Sequence, residues 1–324
     1  PVRGLAGFAR GGARAGGGAE AYAVITGRKK QPFLGVLVTY PEAGEAQSKV
    51  VLREPGERPA PSGVSLGMIG AGNFANATLL PAIRKAGGVE LVGIASAGGL
   101  HAQHSARKFG FRYASSSAPE IIGDEAVNTV AILTRHDAHA GLVVAALQAG
   151  KNVFVEKPLA LDERQLEDVR RQIGKPGNGL LTVGFNRRFA PLAHRLAAFY
   201  AGREEPMHVH YRVNAGFIPA SHWTQDPQAG GGRIIGEACH FVDFLTFLVG
   251  LPPDCVNAQA LPDQGKYRQD NASMTFTFPD GSIGVVDYLA NGDRSVPKER
   301  VEVFSAGKVA VLDDFRRLDT VEKG

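Results

Sequence analysis

The sequence predicts an α/β fold: a doubly wound parallel sheet followed by an α+β domain with an open, mostly antiparallel sheet. Two textures predict it. Between residues 64 and 184, short apolar runs alternate with helical stretches of about 10–15 residues, the pattern of βαβ units. After about residue 205 the helices thin out and apolar–polar alternation of period two takes over. At 324 residues the chain is also longer than one hydrophobic core usually supports, so two domains are expected.

Taken in order, residues 1–19 are rich in Gly, Ala and Arg and have little to bury, so they are expected to be disordered. A helix is predicted from Ala19 to Ile25, a strand from Phe33 to Thr39, and a Pro- and Glu-containing linker over roughly 53–62. Strands follow at Val64–Ile69, Leu91–Ala95, Val127–Leu133 and Asn152–Val155, with helices at Ala75–Ala86, 101–109 and 138–149 between them. Further on, strands are predicted at Met207–Asn214, Ala272–Phe278, Ile283–Ala290, Arg300–Ser305 and Val309–Asp313. Phe278-Pro279-Asp280-Gly281-Ser282 is a hairpin turn signal, and a helix at His240–Val249 interrupts the series. No internal repeat is present. The chain begins at Pro1 rather than Met and stops just after a strand and a charged segment. It is therefore expected to be a fragment or a processed product, with a closing helix beyond its end.

Composition excludes several classes. Lys and Arg number 36 against 32 Asp and Glu, a net charge of +4 that is dispersed along the chain. A nucleic-acid surface would cluster its basic residues, so no nucleic-acid partner is expected. No apolar run approaches the ~18 residues of a membrane span, so no membrane partner is expected either. Cys239 and Cys255 are the only cysteines. Two thiols in a chain this long are no disulfide framework, which together with the lack of a secretion signal leads to a cytoplasmic expectation.

The first chemical motif is Gly70-Ala71-Gly72-Asn73-Phe74-Ala75, a G-x-G-x-x-A that closes one predicted strand and opens a helix. In that context Gly70 serves a tight turn. Gly72 leaves the backbone bare for a pyrophosphate, and Ala75 lets helix and strand approach. Asn73 and Phe74 lie on the same turn, whose helix N-terminus favours an anion. The motif makes NAD or NADP the expected cofactor in a Rossmann domain. The carboxylate that usually holds the ribose hydroxyls, about 20 positions on, is missing. Ser96 stands there instead, with Arg107 and Lys108 as candidates to neutralise a 2′-phosphate, so the choice between the two cofactors stays open.

Ligands of an open parallel sheet bind at the carboxyl ends of its strands. Two segments end there: Thr134-Arg135-His136-Asp137, and Glu156-Lys157-Pro158. Lys157 is a candidate to polarise a carbonyl or exchange a proton with a hydroxyl. In the second half, Glu237 and His240 are three residues apart on one predicted helical face that Asp243 continues. His240 is suited to move a proton near neutral pH. No metal is expected, since neither C-x-x-C nor H-E-x-x-H occurs. Arg187, Arg188 and His222 complete the candidates, as binders of substrate hydroxyls or phosphate.

The segments GMIGAGNFA at 67–75, TRHDAHA at 134–140, ALQAGKNVFVEKPLA at 146–160, VGFNRRFAP at 183–191 and GGGRIIGEACHFVDF at 230–244 resemble the Gfo/Idh/MocA family. The likeness spans roughly 64–316. It implies an NAD(P)-binding Rossmann domain over 63–184 and a substrate-binding and oligomerisation domain over 185–324. It further implies oxidation or reduction of a sugar, cyclitol or nucleotide sugar, in a homo-oligomer. Lys157 and Glu156 fall on its E-K-P motif and His240 on the histidine of its D-x-x-x-H. Thr134, His136 and His139 fall on its T-x-N-x-x-H cofactor segment, with His136 where asparagine is usual. The aspartate of D-x-x-x-H is replaced by Gly236, beside Glu237. Residues 20–41 resemble the end of a zinc-type alcohol dehydrogenase, so 20–62 is expected to be such a remnant plus linker, as in bi-domain oxidoreductases. Two rival readings stay open: a dinucleotide-binding scaffold without turnover, and a lyase that uses bound NAD transiently.

Overall fold

The computed structural model describes residues 12–14, 18–30, 37–39, 48–53 and 63–322. The chain divides into two compact units, Pro1–Ser48 and Lys49–Gly324. In the first, strand β1 (Gly12–Arg14) pairs in parallel with β2 (Leu37–Thr39), and helix α1 (Gly18–Ile25) lies between them in sequence. Thr26 closes that helix by donating both its amide and its hydroxyl to the Tyr22 carbonyl. Disorder expected over 1–19 is therefore corrected at Gly12–Arg14 and at Gly18–Ala19. A backbone ladder needs no side chain to bury, which is what composition alone overlooks. The rest of 1–19, most of the 53–62 linker and the first part of the Phe33–Thr39 strand lie outside the described residues.

The second unit holds two seven-stranded sheets. The first is built from β3 (Lys49–Val51), β4 (Val64–Ile69), β5 (Val89–Ala95), β6 (Tyr113–Ser115), β7 (Thr129–Ile132), β8 (Asn152–Val155) and β9 (Leu181–Val183). Their spatial order is β3-β6-β5-β4-β7-β8-β9, parallel throughout except for β3. Central β4 is buried from Ser65 to Ile69, as expected of a parallel strand with helices on both faces. Helices α2 (Leu80–Ala86), α3 (Leu100–Phe109), α4 (Ala118–Ile122), α5 (His139–Gln148) and α6 (Glu163–Arg170) supply those layers. The order reverses at β4, with β5 on one side and β7 on the other, which opens a crevice at the carboxyl ends of these strands.

The second sheet runs β11-β12-β13-β10-β14-β15-β16. Its strands are β10 (His208–Asn214), β11 (Cys255–Ala260), β12 (Asn271–Thr277), β13 (Ile283–Leu289), β14 (Glu299–Ser305), β15 (Lys308–Asp313) and β16 (Arg317–Val321). All pairs are antiparallel but β10 with β13. Helices α7 (Pro191–Phe199) and α8 (Cys239–Val249) cover one face. Phe241, Phe244 and Leu245 of α8 pack there against Tyr211, Val286, Tyr288 and Val303 in one core. The contact is close because Gly284 has no side chain: a Cβ there would sit 2.6 Å from Leu245 Cδ1.

The predicted strands and helices of 64–313 are all present, with ends shifted by a residue or two. The sequence reading missed β3, β6, α4, α6, β9, α7, β11 and β16. The three residues of β6 are too few to show a period, while β11 and β16 are exposed edge strands with no buried apolar stripe. Strand β3 joins the first sheet from within the stretch taken as remnant and linker.

Candidate functional site

The glycine turn links the end of β4 to the helix that follows. Gly70 adopts φ +109°, and a Cβ on it would lie 2.4 Å from the Leu133 carbonyl oxygen, so only glycine fits. Gly72 is the opposite case: a Cβ there meets nothing within 4 Å. Packing therefore does not demand glycine at 72, whereas a ligand against the bare backbone would. Ala75 is buried and Phe74 exposed. One π-helical turn, Ala75–Leu79, precedes α2. In it Asn76, which sequence reasoning missed, donates to the carbonyls of Ala71 (2.9 Å) and Gly72 (3.0 Å) and accepts from Ser105 Oγ (2.8 Å). These bonds brace the turn. The residues present thus fit a dinucleotide: a bare concave turn, held in shape, at the crevice of the sheet.

Ser96 directly follows β5, half-buried, and its amide donates to the Ser115 carbonyl. Arg107 and Lys108, the candidates to neutralise a 2′-phosphate, belong to α3. They occupy the last turn of α3, about 10 Å along the helix from its start after Gly99, because the helix runs back from the carboxyl edge of the sheet.

After β7, Thr134 Oγ1 donates to the Arg135 carbonyl (3.0 Å). His136 is buried, its Nδ1–H donates to the Gly230 carbonyl (2.8 Å), and its ring stands edge-on to Trp223 at 4.8 Å. Burial pushes this imidazole down to about 4, against the opposing pull of the Gly230 bond. His139, fully buried, donates from Nδ1 to the Pro158 carbonyl (2.7 Å) and so ties α5 to the segment carrying Lys157. Burial lowers its pKa as well. Burial also raises the Glu156 carboxyl, which occupies space that Gly184 leaves open.

Lys157 reaches across to the second sheet domain, where its Nζ donates to the Gly236 carbonyl (3.0 Å). Gly236 lies in a second π-helical turn, Ile234–Ala238, that leads into α8. The same residue touches His136, because a Cβ on it would fall 3.1 Å from His136 Cε1. His240, one helical turn further on, is buried, with its Nδ1 sealed and without a partner. Burial, then the charges of Arg187, Lys157 and Lys298, push its pKa down to about 2. Lys157 and His136 thus meet on Gly236, and Lys157 also bears electrostatically on His240.

The other predicted residues have partners of their own. Glu237 accepts from Tyr288 Oη (2.9 Å) and lies 3.7 Å from Arg233 and 3.8 Å from Lys298. Burial raises its carboxyl, but Lys298, Arg233 and Tyr288 outweigh that and hold it low, so it stays ionised. Arg187 forms a two-pronged pair with Glu299 (2.6 and 2.7 Å), and Tyr211 Oη also donates to Glu299. Arg188 and Asp243 form a second such pair. A guanidinium as buried as that of Arg187 needs a carboxylate, so Arg187 is held by Glu299, and the more exposed Arg188 by Asp243, rather than standing as free groups. His222 is exposed and shares a hydrogen bond with Thr224 Oγ1 (2.8 Å). Among the described residues no group of His, Cys, Asp and Glu is arranged to hold a metal, and no helix is long and apolar enough to cross a membrane.

Comparison with known proteins agrees with this geometry. Residues 64–185 match the model of the Gfo/Idh/MocA oxidoreductase family, NAD-binding Rossmann fold, and residues 200–305 match a Gfo/Idh/MocA C-terminal domain. The chain is 31% identical over 196 residues to a 1,5-anhydro-D-fructose reductase of Ensifer adhaerens, covering 58% of this chain and 57% of that one. It is 31% identical over 224 residues to a myo-inositol 2-dehydrogenase of Thermotoga maritima, covering 66% of this chain and 65% of the relative. It therefore spans about three fifths of the length of these two curated relatives. A solved levoglucosan dehydrogenase in complex with NADH and L-sorbose superposes with a TM-score of 0.68 at 25% identity, covering 79% of this chain and 75% of that chain. The matched motifs, the switch-point crevice and the two-sheet architecture lead to one assignment: the chain belongs to the Gfo/Idh/MocA family.

Proposed function

We propose that this chain is an NAD-dependent oxidoreductase that interconverts a secondary hydroxyl and a carbonyl on a sugar, cyclitol or nucleotide sugar. The observation that carries the reading is the meeting of Lys157 and His136 on Gly236, with Lys157 close enough to His240 to oppose its protonation, at the strand ends where the Gly70–Ala75 turn would hold a dinucleotide. The pyrophosphate would lie against Gly72, with Asn73, Phe74 and Ala75 beside it. Ser96, Thr134, His136, His139 and Glu156 would line the rest of the cofactor's path. When bound, the nicotinamide supplies a hydride acceptor or donor. The ammonium of Lys157 stabilises negative charge that develops on the substrate oxygen. His240 contacts the same oxygen, and Glu237 keeps the cationic Arg233 and Lys298 balanced nearby.

The names of the relatives support a polyol substrate, and their NADH complex supports NAD. We also place the protein in the cytoplasm, since its two cysteines are unpaired. As a homo-oligomer it would use the face of the second sheet opposite α8, where Ile283 and Phe304 are exposed. The test is a turnover assay with NAD+ and NADP+ against myo-inositol, levoglucosan and nucleotide sugars. Reduced cofactor should form with at least one of them and require Lys157. A scaffold would bind NAD+ and reduce none, and a lyase would convert substrate without net NADH.

A further inference from the structure

Two histidines meet the same turn with opposite hydrogen-bond surroundings. At His136, the bond from Nδ1–H to the Gly230 carbonyl (2.8 Å) fixes the ring proton on Nδ1 and leaves Nε2 as a lone pair. Trp223, edge-on at 4.8 Å, holds the ring in that pose. The Nε2 atom has no protein partner and is not sealed from solvent. At His240 the arrangement is reversed. Its Nδ1 is buried with nothing beside it to accept a proton. An N–H placed there would be stripped of water and left unbonded, so the proton sits on Nε2, where water or substrate accepts it.

Charge reinforces the contrast. Arg187, Lys157 and Lys298 all bear on His240 and oppose a second proton on it. Around His136, Lys157 and His139 also oppose protonation, while Asp137 and the Gly230 carbonyl favour it. Gly236 is the common neighbour. A Cβ on it would lie 3.1 Å from His136 Cε1, its carbonyl takes the Lys157 ammonium at 3.0 Å, and His240 follows one turn later.

We propose that His136 is the group that accepts the proton of the substrate hydroxyl, while His240 presents its Nε2–H as a donor to the same oxygen. The assignment rests on the oxidoreductase reading given above. A lone pair oriented by a second hydrogen bond is the arrangement a general base requires. In oxidation the O–H bond breaks with its proton on His136 Nε2. The freed electron pair becomes the second C–O bond as the carbinol hydride leaves to oxidised nicotinamide. The imidazolium then returns its proton to water, and reduction runs the same path backwards. Lys157, beside the oxygen, makes the hydroxyl more acidic, so a weak base suffices.

The test reads the tautomers directly. Long-range 1H–15N spectra of the full chain labelled with 15N-histidine, with His136→Asn and His240→Asn to assign the rings, should show His136 protonated on Nδ1 and His240 on Nε2. This pattern should hold from about pH 8 to about pH 5, with or without NAD+. A proton on Nε2 of His136 overturns the proposal whatever the protein turns over. With saturating NAD+ and whichever of myo-inositol or levoglucosan is oxidised, His136→Asn should lose about 100-fold or more in kcat. A kcat near that of the parent overturns it too. A parent chain that binds no NAD+ and oxidises neither polyol overturns the oxidoreductase reading and this proposal with it, and the tautomer pattern then separates the two failures.

Discussion

Lys157→Met should lower kcat for polyol oxidation by about 100- to 1000-fold while leaving the affinity for NAD+ within a few fold. The ammonium reaches the Gly236 carbonyl at 3.0 Å and stands among groups that burial keeps neutral: His136 and His240 are both pushed well below the usual histidine range. Lys157 is thus the cation placed to meet developing negative charge on the substrate oxygen. Methionine keeps the length of the stem and removes only the charge and its hydrogen bond. Arginine should not restore the rate, because a planar fork cannot occupy the place of a compact ammonium against one carbonyl. Steady-state kinetics with separate titration of NAD+ distinguishes the two parameters. A variant with unchanged kcat would remove Lys157 from the chemistry.

The second large effect is on stability. Glu299→Gln should destabilise the protein by about 3–5 kcal/mol, the usual cost of stranding one member of a buried pair. Glu299 accepts both prongs of Arg187 (2.6 and 2.7 Å) and the hydroxyl of Tyr211, with side-chain exposures of only 15% for Arg187 and 10% for Glu299. Burial alone would raise its carboxyl, but the Arg187 guanidinium holds it down, so the pair is ionised. Glutamine conserves volume and leaves the guanidinium buried without a counter-charge. Urea unfolding should record the loss, and the double variant Arg187→Met, Glu299→Leu should recover most of it. Equal destabilisation by the single and double variants would mean that the charge is not what matters there.

These two residues mark the limit of what the sequence disclosed. The turn at Gly70–Ala75 was legible because its signature is local, a strand, three small residues and a helix, whereas the Leu133 carbonyl that excludes any side chain at 70 was not. Lys157 was legible for the same reason, standing at the end of a recognisable strand. Arg187 was read as a substrate group because its partner Glu299 lies 112 residues away, and nothing in either segment announces the other. The meeting of His136 with Gly236 is a pairing of the same kind, hidden until two domains bring it about. Backbone detail escaped as well. The two π-helical turns at Ala75–Leu79 and Ile234–Ala238 read as ordinary helix in the sequence, yet one contains Asn76, which braces the glycine turn, and the other offers the carbonyl that Lys157 uses.

Calorimetric titration of NAD+ into the parent chain and into Gly72→Val bears most directly on the whole reading. A side chain at 72 meets no protein atom within 4 Å, so the variant should fold with stability close to that of the parent. It would nevertheless fill the space claimed for the pyrophosphate. The account predicts binding to the parent and a loss of at least about 100-fold in the variant. Undiminished binding to a folded Gly72→Val chain would contradict it.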